Sequence, residues 1–177
     1  RPPGAAIVAA GAVTAGSVSV TGAPPVTTPG PGATAAARTG LRWSDIRSGA
    51  IPSPDAVVPG DPWPPPGSGW PLVRLLGPGP LGPGHSGRGT IAADGDLEIA
   101  NGFSWTGIIL VGGSLRLYGD AQVRGAVVVG LDTTLPAAVD LGDGIISVAF
   151  DPCVADLAAQ RLVPYPAAVP GLWRDSW

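Results

Sequence analysis

Three acidic residues, Asp94, Asp96 and Glu98, lie close together in the sequence. If this segment is a β-strand, Asp96 and Glu98 share one face about 7 Å apart, within the broad range of paired catalytic acids in glycoside hydrolases. Carboxylates so placed could also bind calcium. Eighteen residues later the equivalent positions are Ser114 and Arg116, whereas a cleaving site needs several convergent acids or bases. The pattern therefore favours a solvated strand face.

The other candidates for chemistry stand alone in the sequence. His85 is the single histidine; its stretch GPGHSG (82–87) matches GxGxxG by letter, but a strand rather than the required helix N-terminus is predicted to follow. Ser86 is no nucleophile elbow, because Arg88 stands where glycine is needed. Cys153 is the single cysteine, so it forms no intrachain disulfide, and no base is identifiable nearby. We predict no catalytic, cofactor-binding or metal-binding residue.

The tryptophans are the more informative aromatic residues. Six tryptophans accompany only two tyrosines and two phenylalanines. Large amphipathic rings anchor protein partners and rest at membrane interfaces, although some are expected simply to plug the ends of the fold. The predicted partner-binding residues are Trp43, Trp63, Trp70, Trp173 and Trp177.

Composition narrows the class of protein. A net charge of −3 argues against electrostatic binding of nucleic acid. The 28 glycines and 22 prolines among 177 residues are typical of disorder, but the mean hydropathy of +0.30 is too apolar for a solvated coil. Strands separated by glycine turns reconcile the two observations. The apolar stretch 107–111 is far shorter than the roughly 20 residues of a membrane-spanning helix.

An internal repeat of 18 residues begins at Gly89 and again at Gly107, and Gly125 opens a third copy. Each copy contains about three short segments in which apolar and polar residues alternate, and glycines separate these segments. Three short strands are the length of one coil of a β-helix. We therefore predict an all-β fold, a short parallel β-helix (β-solenoid). Equivalent residues such as Ile91, Ile109 and Val127 should then stack in columns inside it.

The remaining segments are assigned around this repeat within a single domain, 1–177. Residues 89–150 form the β-helix rungs, and 5–22 form an N-terminal rung predicted to stack on the coil that begins at Gly89. Residues 23–88 form a long Pro/Gly-rich insertion with little regular structure, packed over an open face or a partner. Asp151 and Pro152 open a short helix predicted over Cys153–Leu162. This helix should cap the end of the solenoid, before an irregular tail to residue 177.

Three stretches together resemble the extracytoplasmic region of PilX-type pilus-assembly proteins: DGDLEI…GFSWTGIILVGGSLRLYGDAQVRGAVVVG, AGAVTAGSVSVTG and ISVAFDPC. Such proteins resemble minor pilins, in which an N-terminal hydrophobic helix provides the anchor and the glycine-rich β region faces outward. The resemblance implies a periplasmic or cell-surface, membrane-associated protein. The absence of methionine agrees with an anchor or signal segment before Arg1. No functional residue is carried over, because the similarity lies in turn and core positions.

These patterns predict a non-enzymatic, extracytoplasmic structural or assembly module with a pilin-like role. Its partner would be a protein or a larger membrane-associated assembly, with no cofactor and no nucleic acid. One alternative is an accessory subunit that docks by its loops and tryptophans on a larger membrane complex, for example an energy-transducing one. A carbohydrate-active β-helix enzyme is the remaining alternative.

Overall fold

The computed structural model describes residues 5–16, 18–21, 25–28, 30–32, 42–50, 52–65, 67 and 69–162. The protein is mostly β, with 41% strand and 14% helix, and its strands pair in parallel in two sheets. The predicted tail from Val163 onward, with Trp173 and Trp177, lies outside the described residues, as do parts of the N-terminal rung and of the insertion.

Short strands make up most of the described chain. In order they are β1 (Ile7–Ala9), β2 (Val13–Ala15), β3 (Val18–Thr21), β4 (Val26–Thr27), β5 (Ala56–Val58), β6 (Leu72–Leu75), β7 (Gly87–Ala93), β8 (Leu97–Ile99), β9 (Ser104–Val111), β10 (Leu115–Leu117), β11 (Ala121–Val129), β12 (Val139–Leu141) and β13 (Ile146–Phe150). The helices discussed below are α1 (Trp43–Ser48) and α2 (Pro152–Ala159). A 3₁₀ turn covers Pro83–His85.

Equivalent strands of successive repeats pair in parallel with the register that the 18-residue spacing predicts. Ile91 pairs with Ile109, and Ile109 pairs with Val127. In the smaller sheet, Leu97 pairs with Leu115. All five side chains are buried in the main hydrophobic core. The predicted columns of like residues are therefore confirmed.

A column of glycines forms one corner of this stack. Gly89 pairs with Gly107, and Gly107 with Gly125. Their φ angles are +127°, +149° and +137°, a backbone conformation that side-chain-bearing residues rarely adopt. A Cβ atom at Gly107 would overlap the carbonyl oxygen of Gly89, and one at Gly125 would overlap that of Gly107. The repeat needs glycine here because the chain lies directly against the backbone of the paired strand.

The N-terminal rung lies at the opposite end of the stack from the predicted position. Strand β1 pairs with β11, β2 with β12 and β3 with β13. The prediction that this rung stacks on the coil beginning at Gly89 is therefore wrong. That place is taken by strands of the insertion, because β6 pairs with β7 and β5 pairs with β6. Since any rung with matching apolar residues can cover an open strand edge, the repeat alone does not specify the order of stacking.

The insertion is more regular than predicted. Its described residues contribute α1 and the three strands β4, β5 and β6, and β5 is the terminal strand at its end of the larger sheet. Proline usually argues against a strand, but it is tolerated beside short edge strands. Short strands surrounded by prolines are therefore difficult to predict from sequence.

The helix predicted over Cys153–Leu162 is present as α2, which begins one residue earlier, directly after its N-cap Asp151, and ends at Ala159 instead of Leu162. The Oδ1 atom of Asp151 accepts hydrogen bonds from the backbone N–H groups of Cys153 at 3.0 Å and Val154 at 3.1 Å. Instead of capping the end of the stack, however, α2 packs on the outer face of the larger sheet, against β9 and β11. The hydroxyl of Thr90 donates to the carbonyl of Ala158 at 3.1 Å within this contact. The prediction of an end cap is therefore wrong.

A second hydrophobic core explains the position of α2. Ile108 and Leu110 alternate with the inward residues of β9, but they too are buried, against Ala158, Leu162 and Trp43. Strands of parallel sheets are commonly covered on both faces, and their sequences are then continuously apolar rather than alternating. The helix therefore goes to the apolar outer face of the sheet.

An ion pair joins α1 to the body of the protein. The guanidinium of Arg47 donates to Oδ2 of Asp132 at 2.6 Å, and the side chain of Asp132 is only 7% exposed. Hydrogen bonds from the Thr134 hydroxyl and backbone N–H lower the pKa of Asp132 below its ordinary value; partial burial opposes this, and Arg47 adds to it. This carboxylate therefore stabilises the folded protein in its charged form.

Asp132→Asn should unfold at a lower urea concentration than the unmutated protein at pH 7, with the difference shrinking as the pH falls below about 4. The folded-state pKa lies below the unfolded one, so the stabilisation is complete above the unfolded pKa and is lost as the pH falls through the folded value. Urea titrations at pH 7 and pH 3 measure this. As a control, Asp140→Asn removes the exposed Arg116–Asp140 pair, 3.4 Å apart, and should change little. An equal difference for Asp132→Asn at both pH values would contradict the prediction.

Candidate functional site

A cleft of about 560 Å³ lies beside the terminal strand β5. Its volume falls within the range of small-molecule and peptide-side-chain pockets. Its lining includes Trp63, Trp70, Pro64, Pro65, Asp61 and Arg161. Two predicted partner-binding tryptophans therefore meet in one concave surface, which we call the tryptophan cleft.

Trp63 is held in place by aromatic packing on the main core. Its ring makes edge contacts with His85 at 5.0 Å and with Trp105 at 5.7 Å between centroids. Trp105 is itself buried, and its indole N–H donates to the carbonyl of Gly89 at 3.2 Å. The imidazole of His85 is fixed in turn, because its Nδ1 accepts a hydrogen bond from the N–H of Gly82 at 3.2 Å. Trp63 thus rests on rigid neighbours, as a binding residue should.

Trp70 is positioned from the other side of the sheet. Its ring packs against the second hydrophobic core, and the guanidinium of Arg88 lies 5.7 Å from the ring centroid, in cation–π geometry. Arg88 also donates from Nε to the carbonyl of Gly69 at 2.8 Å. Both cores of the protein therefore contribute one tryptophan to the cleft.

The two acidic residues of the cleft bind the backbone of the insertion. Oδ2 of Asp55 accepts hydrogen bonds from the N–H of Leu72 at 2.8 Å and from the guanidinium of Arg161 at 2.6 Å. Partial burial raises the pKa of Asp55, but the hydrogen bonds from Arg161 and Leu72 outweigh it, so the pKa lies below its ordinary value. Oδ2 of Asp61 accepts from the N–H of Val57 at 2.8 Å.

Some polar groups of the cleft have no partner within the described part of the chain. No basic side chain there pairs with Asp61. The side chains of Trp63 and Trp70 are half-buried, and neither indole N–H donates to an acceptor among the described residues. Two indole N–H groups without an acceptor and one carboxylate without a cationic partner, among the described residues, therefore belong to side chains that line a cleft of tryptophan and proline.

The other predicted partner-binding tryptophans lie elsewhere. Trp43, on α1, is buried in the second core, where its Nε1 has no hydrogen-bond partner. Trp173 and Trp177 lie outside the described residues. The polar groups of the cleft, Asp55 and Arg161, gave no signal in the sequence, because 106 positions separate them and only the packing of α2 brings them together.

The acidic cluster that could have supported glycoside cleavage is engaged in structural contacts. Asp94 forms a bidentate ion pair with Arg74, whose Nε donates to Oδ1 at 3.1 Å and whose Nη2 donates to Oδ2 at 2.7 Å. Oδ1 of Asp96 accepts from the N–H of Ser114 at 2.7 Å. Glu98 accepts a hydrogen bond from the Tyr118 hydroxyl and so raises the pKa of that tyrosine. A cleft of about 370 Å³ lies over part of this surface and is lined by Asp96 and Glu98 together with Arg116.

Within the described residues, no group of three or more His, Cys, Asp or Glu side chains could hold a metal ion. Cys153 is exposed, and the hydroxyl of Ser86 accepts a hydrogen bond from the N–H of Ser104 at 3.1 Å. No helix in the part of the chain that the structure describes is long and apolar enough to cross a membrane.

Comparison with known proteins adds no relative to this description. No protein-family model matches the chain, and searches of curated proteins and of solved structures gave no significant match. The contacts described above are therefore the basis for the functional inference that follows.

Proposed function

We propose that the stacked strands form a short parallel β-helix and that the protein is a non-enzymatic structural or assembly module. The confirmed columns of like residues support this architecture, because they require the chain to return to the same place in each repeat. A β-helix offers a rigid, elongated body on which loops can present a binding surface.

The observation that carries the functional proposal is the pairing of Trp63 and Trp70 in one cleft, each supported by a different hydrophobic core. Rigid aromatic rings in a concave surface are typical anchors for a protein partner. The acidic cluster favours a structural role as well, since Asp94, Asp96 and Glu98 all bind neighbouring groups of the chain.

We place this module outside the cytoplasm, in a pilin-like role, on the strength of the resemblance to PilX-type proteins. The tryptophan cleft is equally compatible with a second function, that of an accessory subunit docked on a larger membrane complex. The two proposals share the same binding surface and differ in the assembly to which it belongs.

Copurification from the source cells separates the two proposals. Recovery of the protein with sheared surface filaments supports the assembly role, and stoichiometric recovery with a detergent-solubilised complex supports the accessory role. Trp70→Ala should reduce recovery at least about 10-fold, the effect of losing one interface anchor. Arg116→Ala, an exposed change on another face, should leave recovery unchanged. If the protein is found with neither fraction, both proposals are wrong.

A further inference from the structure

We infer that the tryptophan cleft binds a proline-rich segment of the partner protein, in the polyproline II conformation and with a basic residue beside the prolines. This inference rests on the proposed function, since it names the chemistry of the partner that the cleft would bind. It follows from the apolar lining, the free hydrogen-bond donors and the charge of the cleft.

The lining matches the shape of a proline-rich segment. Two indole rings stand among prolines, including Pro64 and Pro65, and the buried Pro71 lies at the base of β6. Grooves formed by aromatic side chains recognise polyproline II segments because proline rings fit between the aromatic rings. Such a segment is already extended before it binds, so little conformational entropy is lost.

The free donors match the backbone of the same ligand. A polyproline II chain has no internal hydrogen bonds, and its carbonyl oxygens remain available as acceptors. Trp63 and Trp70 each offer an indole N–H with no acceptor among the described residues. Proline lacks an N–H group, so such a segment needs donors rather than acceptors from its binding site.

The charge of the cleft determines what should flank the prolines. Asp55 is already paired with Arg161 at 2.6 Å, whereas Asp61 accepts only from the N–H of Val57 among the described residues. A carboxylate at the edge of an apolar cleft favours a cationic side chain in the ligand. We therefore expect arginine or lysine next to the proline run.

A sugar is the competing ligand for a cleft with tryptophans. Sugar hydroxyl groups act as donors and acceptors together and need several polar side chains to meet them. Here Asp55 and Arg161 are paired with each other, which leaves, among the described residues, only Asp61 and the two indole N–H groups for a ligand. Few polar groups remain to meet the hydroxyls, so the arrangement favours the peptide.

Titration followed by NMR of the indole N–H signals tests this inference. The probe is an oligoproline peptide that begins with arginine, added to the full chain. We expect the signals of Trp63 and Trp70 to shift while that of Trp43 stays in place. The control is a glycine-serine peptide of equal length and charge. The inference is overturned if this control causes the same shifts as the oligoproline, or if the oligoproline causes no shift at millimolar concentration. Shifts caused by cello-oligosaccharides instead of the peptide would identify a sugar site and overturn it too.

Conservative variants locate the interaction without removing the rings. Trp63→Phe and Trp70→Phe keep aromatic packing but lose the indole N–H, and each should weaken peptide binding about 10-fold, equivalent to about 1.4 kcal/mol. Trp43→Phe is the matched control, because it removes an indole N–H from the second core, away from the cleft, and should leave affinity unchanged. Unchanged affinity in both cleft variants would contradict the assigned donors.

The charge and the proposed function are tested separately. Asp61→Asn still accepts from Val57 but loses its charge, so it should weaken the arginine-bearing peptide several-fold and a neutral oligoproline hardly at all. Peptide binding without recovery in filaments or membrane complexes would remove the proposed function and leave the inference standing. Recovery in either fraction without peptide binding would do the reverse.

Discussion

Gly107→Ala is expected to lower the free energy of unfolding by about 4 kcal/mol or more, at the upper end of single-residue effects, and to leave little folded protein. The added Cβ would overlap the carbonyl oxygen of Gly89, and the φ angle of +149° is itself unfavourable for alanine. The position of a Cβ atom is fixed by its own backbone, and the oxygen belongs to the backbone of the paired strand, so no side-chain rotation relieves the overlap. Urea unfolding followed by far-UV circular dichroism measures the loss.

Gly95→Ala is the matched control for this prediction. A Cβ at Gly95 meets open space, and this glycine is not among those with positive φ. Its substitution should change the free energy of unfolding by about 0.5 kcal/mol or less, as for an ordinary surface site. If Gly107→Ala were as stable as Gly95→Ala, the close approach of the paired strands at the glycine column would be wrong.

Ile7→Ala should cost about 2 to 5 kcal/mol, the range for truncating a fully buried isoleucine. Ile7 is completely buried and pairs with Val127 across the strand edge. A residue that was not held by tertiary contacts would tolerate such a change. The expected loss therefore tests whether the N-terminal rung is part of the main core.

The exposed Thr14 provides the comparison within the same rung. Thr14 lies on β2 opposite Asp140 and its side chain faces solvent, so Thr14→Ala should change stability by about 0.5 kcal/mol or less. Denaturant titrations of both variants give the contrast directly. Similar stabilities for the two would mean that the N-terminal rung does not fold together with the stack.

The register of the stack could be predicted from sequence because the repeat length and the strand geometry agree. Eighteen residues separate Ile91 from Ile109 and Ile109 from Val127, and these residues are direct partners. The start of α2 was also predictable, since Asp151 supplies a local acceptor and Pro152 a fixed φ. Both features depend on neighbours in sequence or on a strict period.

Long-range choices could not be predicted in the same way. The N-terminal rung pairs with β11 to β13 and not with β7. Either position would cover its apolar side chains, so its sequence does not distinguish between them. The outer face of β9 carries Ile108 and Leu110, and a continuous apolar strand does not reveal which element covers its second face. The position of α2 follows from that face and not from its own sequence.

The tryptophan cleft was only partly predictable, for the same reason. Composition and position pointed to Trp63 and Trp70 singly, but not to their meeting in one cleft. Asp55 and Arg161 become neighbours only after α2 packs beside the insertion. A site formed by segments that are distant in sequence has no local spacing that a motif could describe.

The place of the N-terminal rung has a consequence for how the chain acquires its structure during synthesis. Strand β1 leaves the ribosome before its partner β11, which follows about 120 residues later. At typical elongation rates of about 5 to 20 residues per second, several seconds pass before the earliest strand can pair with it. The N-terminal rung is therefore made well before the strands on which it docks, and until then its apolar residues need another cover.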